Sequence, residues 1–158
     1  MKLEDLKQEI EIELDFIESI ISELLSILED IDKEEPSIRE ITAAGAFLSQ
    51  FYNGIENILK RISKYYKIIL PEGETWHIEL FQRFNKPSFK KLPELFDEQL
   101  SISLAAYRKF RHVFFHGYGF QLDWIRMQEG IENIENVYRQ FKKNIYTFLS
   151  REIQRDRK

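Results

Sequence analysis

The stretch from Arg111 to Tyr118 sets a permanent cation, two imidazoles (His112 and His116) and a phenol within eight residues. Arginine presents a fixed fork of donors that suits phosphate oxygens. Histidine takes or gives a proton near neutral pH. Together these are the groups needed to cut RNA without a metal. Their spacing limits how they meet. On one straight helix, five positions correspond to about 140° of rotation, so Arg111 and His116 diverge. They converge if the helix ends between them, as Gly117 suggests, or if two copies of the stretch face each other across a two-fold axis. A purely structural alternative stays open, in which Arg111 caps the helix or pairs with an acid and His116 is a partner for the helix dipole.

The elements that must position these residues read as helices throughout. Ile10, Leu14, Ile17, Ile21, Leu24, Leu28 and Ile31 recur at spacings of four and three, the seam of a long helix packed nearly antiparallel to its neighbours. Phe16, Ile20 and Ile27 widen that stripe toward a further partner. A turn at Pro36 leads into a second helix from about Ser37 to Tyr66, with Ile41, Leu48, Phe51, Ile55, Ile58 and Ile62 on one face. Ala43, Ala44, Gly45 and Ala46 form a small-residue patch where another helix can approach closely. Pro71 to Thr75 is a break, with Thr75 as N-cap of a short helix from Trp76 to about Phe84.

Asn85 to Pro93 is a basic loop. A fourth helix begins near Pro93, carries Phe96, Leu100, Leu104 and Tyr107, and ends near His116 because Gly117 and Gly119 stop it. The last helix starts around Asp123 and repeats Ile131, Ile134, Tyr138, Phe141, Ile145 and Phe148. Its charged tail from Arg151 to Lys158 is expected to fray. The expected fold is therefore all-α, an up-and-down bundle of four long helices plus one short helix, as a single domain over residues 1–158.

Hydrophobic residues at 43% and charged residues at 32% make this a globular chain rather than a disordered one. Disulfides and thiolate metal sites are excluded, because there is no cysteine. The acidic start lacks the apolar core of a signal peptide, and no apolar run approaches the roughly 18 residues of a membrane span. A soluble, cytoplasmic protein is expected. The net charge of −4 argues against a generic nucleic-acid coat, but the charge is unevenly spread. Residues 1–35 hold 3 lysines against 13 acids, whereas no acid lies between Glu98 and Asp123. Lys90, Lys91, Arg108 and Lys109 lie in or beside that basic stretch and are candidate RNA contacts. Charge alone favours plain solvated helix faces.

Glu74 and His77 have the Glu-x-x-His spacing of carboxylate-bridged di-iron bundles, which need two copies and two further inward carboxylates. One copy at a helix start does not make a metal site, and His77 is expected to support the fold by hydrogen bonding. No metal or other cofactor is expected. Phe114, Phe115, Tyr118 and Phe120 flank His116 and are either a base-stacking platform, core, or a subunit interface.

The segment from Tyr107 to Trp124 resembles the signature of the HEPN superfamily, and within it HepT-like ribonuclease toxins. These carry Arg-x4-6-His, often with Asn, Asp or His after the arginine, which here is His112. The HepT branch extends the motif to Arg-x4-His-x-Tyr, matched in register by Arg111, His116 and Tyr118. Phe51 to Glu56 and Gly73 to His77 add to the likeness, which spans the second helix to the start of the last. The resemblance implies a homodimeric helical bundle with two motifs meeting in an interfacial cleft. It also implies metal-independent endoribonuclease activity on tRNA or mRNA, with Arg111 and His116 catalytic and His112 in support. Finally it implies a cognate antitoxin, a minimal nucleotidyltransferase of the MntA type, which transfers AMP to the motif tyrosine, here Tyr118. A non-catalytic HEPN module that binds nucleotide, RNA or a partner chain is the alternative.

Overall fold

The computed structural model describes residues 1–31, 35–117 and 122–158. Its helices are α1 (Leu3–Asp30), α2 (Ile38–Tyr65), α3 (Trp76–Gln82), α4 (Glu98–His116) and α5 (Trp124–Asp156). The all-α bundle of four long helices and one short helix is as expected, and the described residues form no strand beyond an isolated bridge between Asn85 and Phe96.

Local chemistry sets the ends. Ser37 and Glu40 form a reciprocal capping box that starts α2, with the Ser37 hydroxyl accepting from Glu40 N at 3.1 Å and Glu40 accepting from Ser37 N at 2.9 Å. Asp97 caps α4 by accepting from Leu100 N at 2.7 Å, and Asp123 caps α5. Thr75 is the N-cap residue of α3 but makes no side-chain cap bond. The fourth helix starts later than Pro93 because the backbone amides of Leu95 and Phe96 donate to the Phe84 carbonyl, tying this segment to the end of α3. At the other end, α5 does not fray at Arg151. Glu152 is buried and pairs with Arg155 at 3.0 Å, and the helix continues to Asp156.

Neighbours alternate in direction. Glu13 and Glu9 of α1 meet Asn57 and Arg61 of α2 in reverse order. Tyr107 of α4 donates to Gly130 O on α5, while Leu95, before α4, accepts from Asn144 of α5. The helix α2 touches all four others and supplies the centre of the core through Phe51, Ile55, Ile58 and Ile62. The seam of α1 is buried from Ile10 to Leu24 as its spacing predicts, but Phe16 is exposed and does not widen the stripe. Ile20 and Ile27 do widen it, half-buried against the core, and the Tyr138 hydroxyl of α5 donates to Glu18 at 2.7 Å. No described helix is long and apolar enough to cross a membrane.

Two glycines on α2 let helices close in. A Cβ at Gly45 would lie 2.7 Å from the Phe114 ring of α4, so the small-residue patch receives another helix as its composition suggests. A Cβ at Gly54 would lie 2.5 Å from Ile17 Cγ1 in the α1 interface. Gly54→Ala should cost about 1–3 kcal/mol from overpacking, partly offset by the ~1 kcal/mol helix preference of alanine. Urea unfolding should therefore show a net loss, and a variant at least as stable as the parent would contradict this packing.

Candidate functional site

The site is built where α2, α3 and α4 meet. Asn53 and Glu56 are three positions apart on α2 and so share a face. Arg111 projects from α4 onto that face and is only 6% exposed. Its Nη1 donates to Asn53 Oδ1 at 2.7 Å and to Glu56 Oε1 at 3.1 Å, and its Nη2 donates to Glu56 Oε2 at 3.2 Å. The guanidinium carbon lies 4.6 Å from the centre of the Tyr52 ring, adding a cation–π contact. Burial, then the Glu56 carboxylate, holds the Tyr52 hydroxyl well above the ordinary phenol range, so it stays protonated.

The first turn of α3 brings in a histidine. His77 Nδ1 is 2.7 Å from Glu56 Oε2 and 2.6 Å from Arg111 Nη2. Its ring packs on Trp76 with centroids 3.5 Å apart, and Lys60 Nζ sits 4.5 Å from the centre of a Trp76 ring. His77 thus hydrogen-bonds within the fold as its position suggested. Of the two readings of Arg111, the pairing with an acid is realised, and that acid is Glu56.

His116 and Arg111 do not converge in one chain. Both lie within α4, which continues through His116, and Gly117 follows in an extended conformation (φ −117°, ψ 175°) rather than ending the helix between them. Arg111 therefore points inward while His112 and His116 are exposed, their ring centroids 4.5 Å apart. Val113 and Phe115 beside them are also exposed, at 56% and 64%. Phe114 instead turns onto Gly45 and stacks near Phe110 at 6.1 Å. Tyr118 and Phe120 lie outside the described residues.

The basic candidates separate. Arg108 is half-buried with its guanidinium 5.1 Å from the Phe81 ring centre, and Lys109 is exposed on the same outer side of α4 as His116. Lys91 lines a cavity of about 410 Å³ with Arg151 and Arg155 near the start of α4, roughly 27 Å of helix away from His116. Lys90 precedes it, its Nζ 5.0 Å from the Phe89 ring centre. The structure does not bring Lys90 and Lys91 to the motif.

A HepT-like protein family matches residues 43–152, most of α2 through nearly all of α5. The chain belongs to the HepT-like family. This is a HEPN-type toxin family, and all of the Arg111–Tyr118 stretch falls inside the match, whereas α1 falls outside it. No curated protein and no solved structure matches the chain.

Within this HepT-like domain, Asn53, Glu56 and His77 are the residues that motif spacing alone did not nominate. The signal for them was the pair of segments 51–56 and 73–77, which share the family likeness but lie far from the motif in sequence. The Glu74-x-x-His77 spacing pointed at a neighbouring acid, while the acid that His77 meets is Glu56, 21 positions back. Removing one member of a buried ion pair leaves an uncompensated charge and costs about 3–5 kcal/mol. Glu56→Leu should show a loss of that size in urea unfolding, and Glu56→Leu combined with Arg111→Met should recover most of it. A single-variant loss no larger than that of an exposed pair, below about 1 kcal/mol, would contradict the pairing.

Proposed function

We propose that this HepT-like chain is the toxin of a toxin–antitoxin pair and acts as a metal-independent endoribonuclease on tRNA or mRNA. The observation that carries this reading is the Arg111-x4-His116-x-Tyr118 register inside the family match. RNA supplies its own nucleophile, the 2′-hydroxyl, so the protein needs proton transfer and charge stabilisation. His116 supplies a proton-transfer group with His112 against it. Arg111 supplies a fixed positive charge in the same helix, anchored to Glu56. The products are a 2′,3′-cyclic phosphate and a 5′-hydroxyl.

A homodimer completes the site. Ile102, Ala106, Lys109, Val113 and His116 lie on the outer side of α4 at spacings of four and three, and all five are exposed. Such a seam suits a second helix, and two copies of α4 across a two-fold axis bring two motifs together. The partner that silences the toxin is an MntA-like nucleotidyltransferase, and its target is Tyr118, two residues past His116. AMP there places a bulky anion where the RNA phosphate must sit.

Cleavage of tRNA in EDTA tests the reading, on protein whose intact mass excludes AMP. His116→Ala, at an exposed position, should fold normally and lose about 10²–10⁴-fold in rate. Cleavage that survives the substitution, or that requires Mg²⁺, sinks the mechanism. Val113→Glu should convert a dimer to a monomer by light scattering and abolish cleavage, and an active monomer would remove the interfacial site.

One observation favours a second reading, a non-catalytic module that binds RNA, nucleotide or a partner. The Nη donors of Arg111 are engaged with Asn53 and both Glu56 oxygens, so those donors reach a phosphate only by leaving Glu56. Salt-dependent RNA binding without any cut, by protein free of AMP, is the outcome that selects it.

A further inference from the structure

Metal-free cleavage of RNA needs a group to take the proton of the 2′-hydroxyl and a group to give one to the leaving 5′-oxygen. The chain has three histidines, and the motif accounts for two of them, His112 and His116. The third, His77, stands outside the motif yet touches the motif arginine. A catalytic role for it rests on the ribonuclease reading and extends that reading to a residue on a different helix.

Two groups compete for His77 Nδ1. Nδ1 faces Glu56 Oε2 at 2.7 Å and Arg111 Nη2 at 2.6 Å. One nitrogen cannot donate to the carboxylate and accept from the guanidinium at once. The ionised carboxylate only accepts, so a lone pair on Nδ1 would point at its negative oxygen. A proton on Nδ1 makes a charge-assisted bond there instead. Arg111 Nη2 donates to the same Oε2 at 3.2 Å, so that oxygen bridges the two neighbouring donors. Neutral His77 then carries its lone pair on Nε2, which has no protein partner among the described residues. The His77 side chain is 38% exposed, against 5% for Glu56 and 7% for Arg111, so the imidazole is the part of the cluster that solvent reaches. A buried carboxylate behind Nδ1 holds the ring and leaves Nε2 as the nitrogen that can take a proton.

We propose that His77 is the general base of this HepT-like site, held by Glu56 as a positioning residue and by Arg111 behind it, and that its substrate is the 2′-hydroxyl of RNA. His77 Nε2 takes the 2′-hydroxyl proton as the 2′-oxygen bonds to phosphorus. The bond from phosphorus to the 5′-oxygen breaks, that oxygen takes a proton from water, and the proton held on His77 neutralises the hydroxide left behind. Lys60 and Arg108 flank the cluster as cations, and the Trp76 ring beside His77 offers a face for a base.

The test is the pH dependence of cleavage of a short RNA in EDTA by the full chain and by His77→Gln, with circular dichroism as the control for folding. A general base is worth about 10²–10⁴-fold. The variant should lose that much and also lose the acid limb of the profile, where activity rises as the base sheds its proton. With His77→Ala, free imidazole should restore part of the rate. If the parent cleaves and His77→Gln keeps its rate, or slows while keeping the acid limb, the base assignment is overturned and the ribonuclease reading stands. If the parent does not cleave, both fall together. Should the variants fail to fold, ¹⁵N NMR of the parent decides. A His77 protonated on Nδ1 with Nε2 bare supports the proposal, and one protonated on Nε2 when neutral overturns it.

Discussion

The buried pair of Arg111 and Glu56 is the interaction around which the rest of the site is arranged. An arginine that is 6% exposed cannot shed its charge, so its surroundings must satisfy it. Glu56 does so through both oxygens, Asn53 shares the load on Nη1, and the Tyr52 ring covers a face. These three residues come from two turns of α2. The pair therefore fixes the rotation of α4 against α2, and His77 draws the first turn of α3 onto the same carboxylate. Hydrophobic packing of Phe51 on Tyr107, rings 5.0 Å apart, and of Phe114 on Gly45 holds the two helices close. Replacing such pairs with apolar residues is often neutral in stability.

With Arg111 turned inward, helical geometry dictates the rest of α4. His112 lies about 100° and His116 about 140° around the axis from Arg111, so both imidazoles face solvent. Lys109, Val113 and Phe115 share that exposure. One side of the helix thus belongs to a charge network inside the protomer, and the other presents two imidazoles amid exposed apolar side chains. In the proposed homodimer a second copy of the chain covers that side and turns the outward-facing imidazoles into the wall of a cleft.

Much of the fold was readable from the sequence because it depended on local or periodic signals. The seam Ile10–Leu24, the helix starts near Ser37 and Asp123, and the stop at His116 all rest on residues acting within a turn or along one face. What was not readable depended on partners distant in sequence. The start of α4 shifted because Leu95 and Phe96 found the Phe84 carbonyl. The end of α5 stayed ordered because Glu152 became buried. Phe16 has the spacing of a core residue and lies in solvent, since hydrophobic patterning does not say how far around a helix its neighbours reach. In the site, spacing correctly raised the divergence of Arg111 and His116, and the small-residue patch at Gly45 correctly announced a close neighbour. The partner of Arg111 lies 55 positions away on α2, inside the segment 51–56 that shared the family likeness but carried no sign of which residue it meets.

In the chemistry proposed for this HepT-like site, the 2′-hydroxyl of the substrate is the nucleophile, imidazoles move the protons, and no metal takes part. The ends of the RNA fragments report that most directly. Mass spectrometry of fragments made in EDTA should find a 2′,3′-cyclic phosphate on the upstream piece and a 5′-hydroxyl on the downstream piece. Fragments ending in a 3′-hydroxyl and a 5′-phosphate would mean that water attacked instead, and would contradict the account.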